Sequence, residues 1–200
     1  MTLELITGLA LFALVSSITP GPNNLMLMAS GANFGVRRTL PHLLGVALGF
    51  VIMVVLVGLG IRQVFDAWPA SYLVLKVLSV LYLGYLAWRI AGAGAPTGSA
   101  EVQGKPMTFL AAALFQWVNP KAWAMALTAV TVYSPSEGLA AVVLVAMVFG
   151  VINLPSVGLW AVLGEQLQGV LRSEIRLRAF NFTMATLLLV SLVPTLGMTG

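Results

Sequence analysis

The chain has 200 residues, 60% of them hydrophobic and only 8% charged, with a mean hydropathy of +1.00. A soluble domain carries about 25% charge, so this composition describes a chain solvated by lipid. The net charge of +4 comes without a basic patch alternating with aromatics, which excludes a nucleic-acid binder, and the absence of cysteine excludes disulfides, thiolate metal sites and thiol redox chemistry.

A membrane-crossing helix needs about 20 mostly apolar residues, and six segments qualify within what reads as a single transmembrane domain, residues 1–200. The N-terminus has Glu4 and no Lys or Arg before Arg37, unlike the basic start of a signal peptide, so the first apolar run is expected to be a retained span. That span, residues 5–32, is interrupted by Ile18-Thr19-Pro20-Gly21-Pro22-Asn23-Asn24. Pro20 and Pro22 lack the backbone donor, so the carbonyls of Ser16 and Ile18 are expected to be freed. In hydrocarbon such a break survives only where it is buried in protein or lines a wet cavity, which makes it a candidate binding site. Asn23 and Asn24 are placed to cap a new half-helix, whose unpaired amides and positive end favour an anion such as a substrate carboxylate.

Residues 35–38 read as a short basic loop, and span two covers residues 40–61, with Gly45 and Gly49 forming a small-xxx-small packing face. His42, the only histidine, lies near the membrane surface and reads as an interfacial ring. After a turn at 62–68, span three covers residues 69–90; Lys76 near its start can snorkel, and Tyr82, Tyr85 and Trp88 resemble an interfacial belt. Residues 92–105, rich in Gly, Ala, Ser, Thr and Pro, form the one linker and separate repeat one (1–91) from repeat two (106–200).

Span four, residues 107–133, carries a second polar break at Gln116-Trp117-Val118-Asn119-Pro120-Lys121, where Asn119 is placed to cap the half-helix that follows. Span five, residues 138–163, contains Asn153 and a packing-type proline, Pro155. A polar loop at 165–178 with three arginines leads to span six, residues 179–196, which holds Asn181, Thr183 and Thr186 in its first turns. Asn153 and Asn181 either reach a substrate or bond to neighbouring helices.

Loops after spans one, three and five hold Arg37, Arg38, Arg89, Lys105, Arg172, Arg176 and Arg178, against Arg62 on the other side. The positive-inside bias then puts both termini outside and the linker in the cytoplasm. Three spans on each side of the linker is an odd number, so a duplicated half must insert upside down. The expected fold is all-α and integral to the membrane: six transmembrane helices as two inverted three-helix repeats, with helices one and four broken. Broken spans at corresponding places in two inverted halves point to a transporter's central site.

Thr19-Pro20-Gly21-Pro22-Asn23, Arg37-Arg38 ahead of the Gly45 and Gly49 span, and Asn119-Pro120-Lys121 together resemble the lysine-exporter/homoserine-threonine-resistance (LysE/RhtB) family over nearly the whole chain. The resemblance implies a secondary exporter of amino acids or close derivatives in a bacterial inner membrane, driven by the proton gradient and without a cofactor. The branch exporting neutral amino acids or cysteine metabolites is nearer than the lysine branch. The implied partners are a small amino acid and the lipid bilayer, with assembly into a homo-oligomer left open.

An amino acid is a zwitterion, so its site needs donors for a carboxylate and acceptors for an ammonium. The half-helix amides after Pro22, with Asn23, Asn24 and Asn119, suit the first; the freed carbonyls of Ser16, Ile18 and Gln116 suit the second. Lys121 lies near the middle of its span, and its stem is too short to reach water roughly 15 Å away if the apolar core is about 30 Å thick. A cation at the positive end of a half-helix is unfavourable unless an anion binds there or the amine is neutral for part of a cycle. It therefore pairs with a carboxylate, exchanges a proton, or is a structural amine held by carbonyls of span one. A competing reading is a cation permease of related architecture, but Glu4, Asp66, Glu101, Glu137, Glu165 and Glu174 all lie at or beyond span ends, away from where a hard cation would need them. A membrane enzyme lacks an evident catalytic set.

Overall fold

A computed structural model describes residues 2–61, 67–68, 70–93, 105–134 and 138–193. The described chain is helical: α1 (Leu3–Ile18), α2 (Pro22–Phe34), α3 (Val36–Leu56) with a π turn at Val57–Ile61, α4 (Ala70–Ala91), α5 (Phe109–Phe115), α6 (Pro120–Tyr133), α7 (Leu139–Gln166) and α8 (Glu174–Val190). Side-chain hydroxyls start two of them, Thr2 accepting from the Leu5 amide and Thr108 from the Ala111 amide. Of the segments expected to be irregular, 62–66, most of 92–105 and 135–137 lie outside the described residues, as do Asp66, Glu101 and Glu137.

Helices at Val36–Gly60, Leu73–Ala91 and Leu139–Gly169 are long and apolar enough to cross a membrane. The pair α1 and α2 qualifies as a fourth crossing, bent by 52° at the Pro-Gly-Pro break. The outer surface agrees: Leu11, Leu48, Ile52, Leu81, Met147 and Val151 are each about half exposed or more, a cost in water and none in lipid. This is an all-α, multi-pass membrane protein.

Two apolar clusters flank the break. One joins Leu9 and Ala13 of α1 to Phe50 and Met53 of α3, Trp123 and Ala126 of α6, and Val145 and Phe149 of α7. The other joins Leu25 and Met26 of α2 to Leu83 and Leu86 of α4, Phe115 of α5, and Met184 and Leu188 of α8. The most extensive helix contact is α2 on α7, followed by α3 on α7 and α3 on α5. Glycines allow these crossings: a Cβ on Gly31 would collide with the Ala161 carbonyl, one on Gly164 with the Met28 carbonyl, and one on Gly45 with the Phe109 carbonyl.

Several boundaries differ from the expected ones. The basic loop at 35–38 shrinks to Gly35, which at φ 78 is both the end of α2 and the start of α3; Arg37 and Arg38 lie in the first turn of α3. Glu165 makes this tight turn workable by accepting the Val36 amide at 2.9 Å. The polar loop at 165–178 is likewise shorter, because α7 runs on to Gln166 and α8 begins at Glu174, with Arg178 and Glu174 paired at 2.6 Å one turn apart. Pro155 stays inside a continuous α7. In α4, Tyr85 and Trp88 are exposed as a belt requires, whereas Tyr82 turns inward against Phe115, ring centroids 5.7 Å apart. His42 departs most from expectation, being 1% exposed rather than interfacial.

Candidate functional site

The α1 helix stops where Pro20 would have to supply an amide, and α2 restarts with Pro22 at its first position, Gly21 lying extended between them. The second break is built differently: α5 tightens into a 3-10 turn at Gln116–Val118, Asn119 is extended, and Pro120 opens α6. Asn119 caps α6 as expected, its Oδ1 accepting the Lys121 amide at 3.1 Å. Asn23 and Asn24 do not cap α2, whose start has no side-chain cap. Asn24 instead turns back and donates to the carbonyls of Ser17 and Thr19, both at 2.8 Å, while Asn23 exchanges amide bonds with Gln116 at 2.8 and 3.3 Å.

The two breaks face each other. Lys121 Nζ reaches across from α6 and donates to the Thr19 carbonyl at 2.7 Å, Thr19 Oγ1 at 3.0 Å and the Pro20 carbonyl at 3.4 Å. Gly21 makes room for it: a Cβ there would lie 2.7 Å from Lys121 Cδ. With φ at −175°, space rather than backbone conformation selects glycine at this position.

The carbonyls expected to await an ammonium are already used. Thr19 Oγ1 donates to Ser16, the Trp160 indole to Ile18 and the Asn119 amide to Gln116. Within an apolar span an unpaired carbonyl is costly whether it faces protein or lipid, so the chain supplies its own donors. One acceptor is left over. Asn153 donates to Ser17 Oγ at 3.0 Å, but its Oδ1 is buried with no hydrogen-bond partner among the described residues.

Asn153, Lys121, Asn119, Asn23, Asn24 and Gly21 line one small cavity of about 20 Å³, with Ser16 and Ser17. That is room for about one water molecule. Ser17 and Trp160 belong to this site and carried no signal in the sequence, since a lone serine or tryptophan in a span is ordinary. Asn181 does not belong to it. It pairs with Asn33 at 2.8 and 3.1 Å and donates to the Ala93 carbonyl at 2.6 Å. Asn33 and Ala93 border a second, larger cavity of about 310 Å³, together with Ser30, His42, Arg89 and Lys105.

A family model described as LysE type translocator matches residues 14–193. A cysteine/O-acetylserine efflux protein of Escherichia coli is 31% identical over 192 residues, covering 94% of this chain and 95% of that protein. A protein of the same description from Shigella sonnei gives the same identity and coverage. No solved structure gives a significant match.

Proposed function

The chain belongs to the LysE translocator family, and we propose that it exports a small neutral or polar amino acid or close derivative, of the cysteine or O-acetylserine type, across a bacterial inner membrane. The observation that carries this reading is the facing pair of breaks, where Lys121 of one span holds the broken backbone of the other. The carboxylate is met by Lys121 and by the uncapped first-turn amides of α2; the ammonium is met by the free Asn153 Oδ1. Amides, hydroxyls and one amine make a poor set for a hard cation, which wants carboxylate oxygens. Translocation rather than covalent chemistry is what these groups serve.

A cavity of about 20 Å³ is too small for an amino acid. The described conformation is therefore a closed one, in which the Thr19 carbonyl engages Lys121. Loading requires Lys121 to leave Thr19 for the carboxylate, so the amine couples occupancy of the site to the shape of the break. Release of the substrate is coupled to proton entry along the gradient.

Alternating access in this reading comes from six spans in two inverted halves. Helix packing supports it: span one packs on span five and span four on span two, as an exchange of halves requires, and spans two and five, and three and six, pack on each other. Both termini face outward and the linker faces the cytoplasm. Overproduction in a bacterial host, followed by profiling of amino acids inside and outside the cells, tests the substrate class. Cysteine, O-acetylserine or a neutral amino acid should fall inside and appear outside. An unchanged profile of all of them at good membrane abundance refutes it.

A further inference from the structure

The cavity of about 310 Å³ lies away from the crossing, between α2, the first turns of α3, the end of α4 and the segment leading into α5. Its wall contains His42, 1% exposed, with both ring nitrogens lacking a hydrogen-bond partner among the described residues. An imidazole buried in this way costs stability unless a ligand or water completes it. Other polar groups on the same wall are already engaged: Ser30 bonds Thr39 at 2.8 Å, and Asn33 bonds Asn181 and the Ala29 carbonyl. Two cations, Arg89 and Lys105, line the cavity, and its described lining contains no carboxylate. Along α2, Met26, Ala29, Ser30 and Asn33 line it at helical spacing, on the helix whose first turn carries Asn23 and Asn24 at the crossing.

We propose that this cavity is a loading site for a zwitterionic amino acid, with the carboxylate held by Arg89 and Lys105 and the ammonium donating to a ring nitrogen of His42. It rests on the export reading, and adds a second station at the end of the molecule where the basic residues gather. The volume holds one small amino acid with some water, and the lining supplies groups for both of its charges. From here the substrate passes along α2 to the crossing. His42 is thereby a binding residue and not a packing ring.

Because His42 is the only histidine, its ring nitrogens can be followed by 15N NMR in histidine-labelled protein in nanodiscs, with O-acetyl-L-serine as the probe. The resonances should shift saturably. The shift should persist in Lys121→Met, which disables the crossing and leaves the cavity untouched. It should need about tenfold more ligand in Arg89→Gln and with the methyl ester of the probe, each of which removes a charged hydrogen bond. Resonances that stay still at saturating probe, or that respond equally to the ester, overturn the loading site. Counterflow of labelled O-acetyl-L-serine in the same preparation separates the two readings: transport with a silent His42 removes the loading site alone, and absence of both removes export of this substrate class as well.

Discussion

Lys121 and Gly21 act as one unit. The amine bonds two carbonyls of the opposite break, and the missing Cβ of Gly21 leaves space for its stem. Lys121→Met should lose export while remaining abundant in the membrane, because the Thr19 carbonyl keeps the Asn24 side-chain amide as a donor. Lys121→Arg keeps the charge but not the point-like amine. Partial export by it identifies a carboxylate-pairing role, and none identifies proton exchange. Full export by the methionine variant in a vesicle assay removes Lys121 from the mechanism. Gly21→Ala should lower export less completely, since its Cβ meets only the flexible end of a lysine and moves the amine off Thr19 without unfolding anything. Wild-type rates for Gly21→Ala would show that the placement of Lys121 is not critical. These residues were legible in the sequence because a proline pair and a lysine have no cheap place in hydrocarbon. Asn181 and His42 were not. An amide or an imidazole takes its role from partners that come together only in the fold, here Asn33 for Asn181 and an open cavity for His42.

At the level of helices, the break in span one is a 52° bend between α1 and α2. Replacing Pro20, Gly21 and Pro22 together by alanine should restore the helical bonds, leave insertion intact and abolish transport. The opposite behaviour is expected where helices touch through backbone. Gly31→Leu would drive a side chain into the Ala161 carbonyl, so thermal unfolding of the purified protein should reveal a loss of about 1–3 kcal/mol. Gly84→Ala, with nothing within 4 Å of its new Cβ, should change little and serves as the reference. If both glycine variants melted alike, the α2–α7 crossing would not be the close contact described. Both breaks and the apolar runs at 36–60, 73–91 and 139–169 could be read from the chain, since hydrophobic length and proline position report them directly. Loop lengths could not, because Arg37, Arg38 and Glu165 are compatible with a helix end as much as with a loop, and only the Glu165 bond to Val36 decides.

For the whole molecule, the proposed topology has both termini outside and rests on the charge distribution of the loops. Reporter fusions after Ala93 and at the C-terminus should show cytoplasmic activity for the first and external activity for the second; the reverse would invert the transport direction proposed here. A membrane protein was evident from composition alone, while the state of its centre was not: the sequence announced freed carbonyls, and the folded chain answers them with its own donors. In the proposed mechanism the facing breaks form the translocation site, and Lys121 exchanges a backbone carbonyl for a substrate carboxylate. Counterflow of labelled O-acetyl-L-serine into liposomes preloaded with the unlabelled compound measures this directly, comparing the wild-type chain with Lys121→Met and with the triple alanine variant at equal protein content. The expected result is saturable uptake by the wild type and none above empty liposomes for either variant. Uptake by the triple alanine variant at the wild-type rate would show that the facing breaks are not the translocation site.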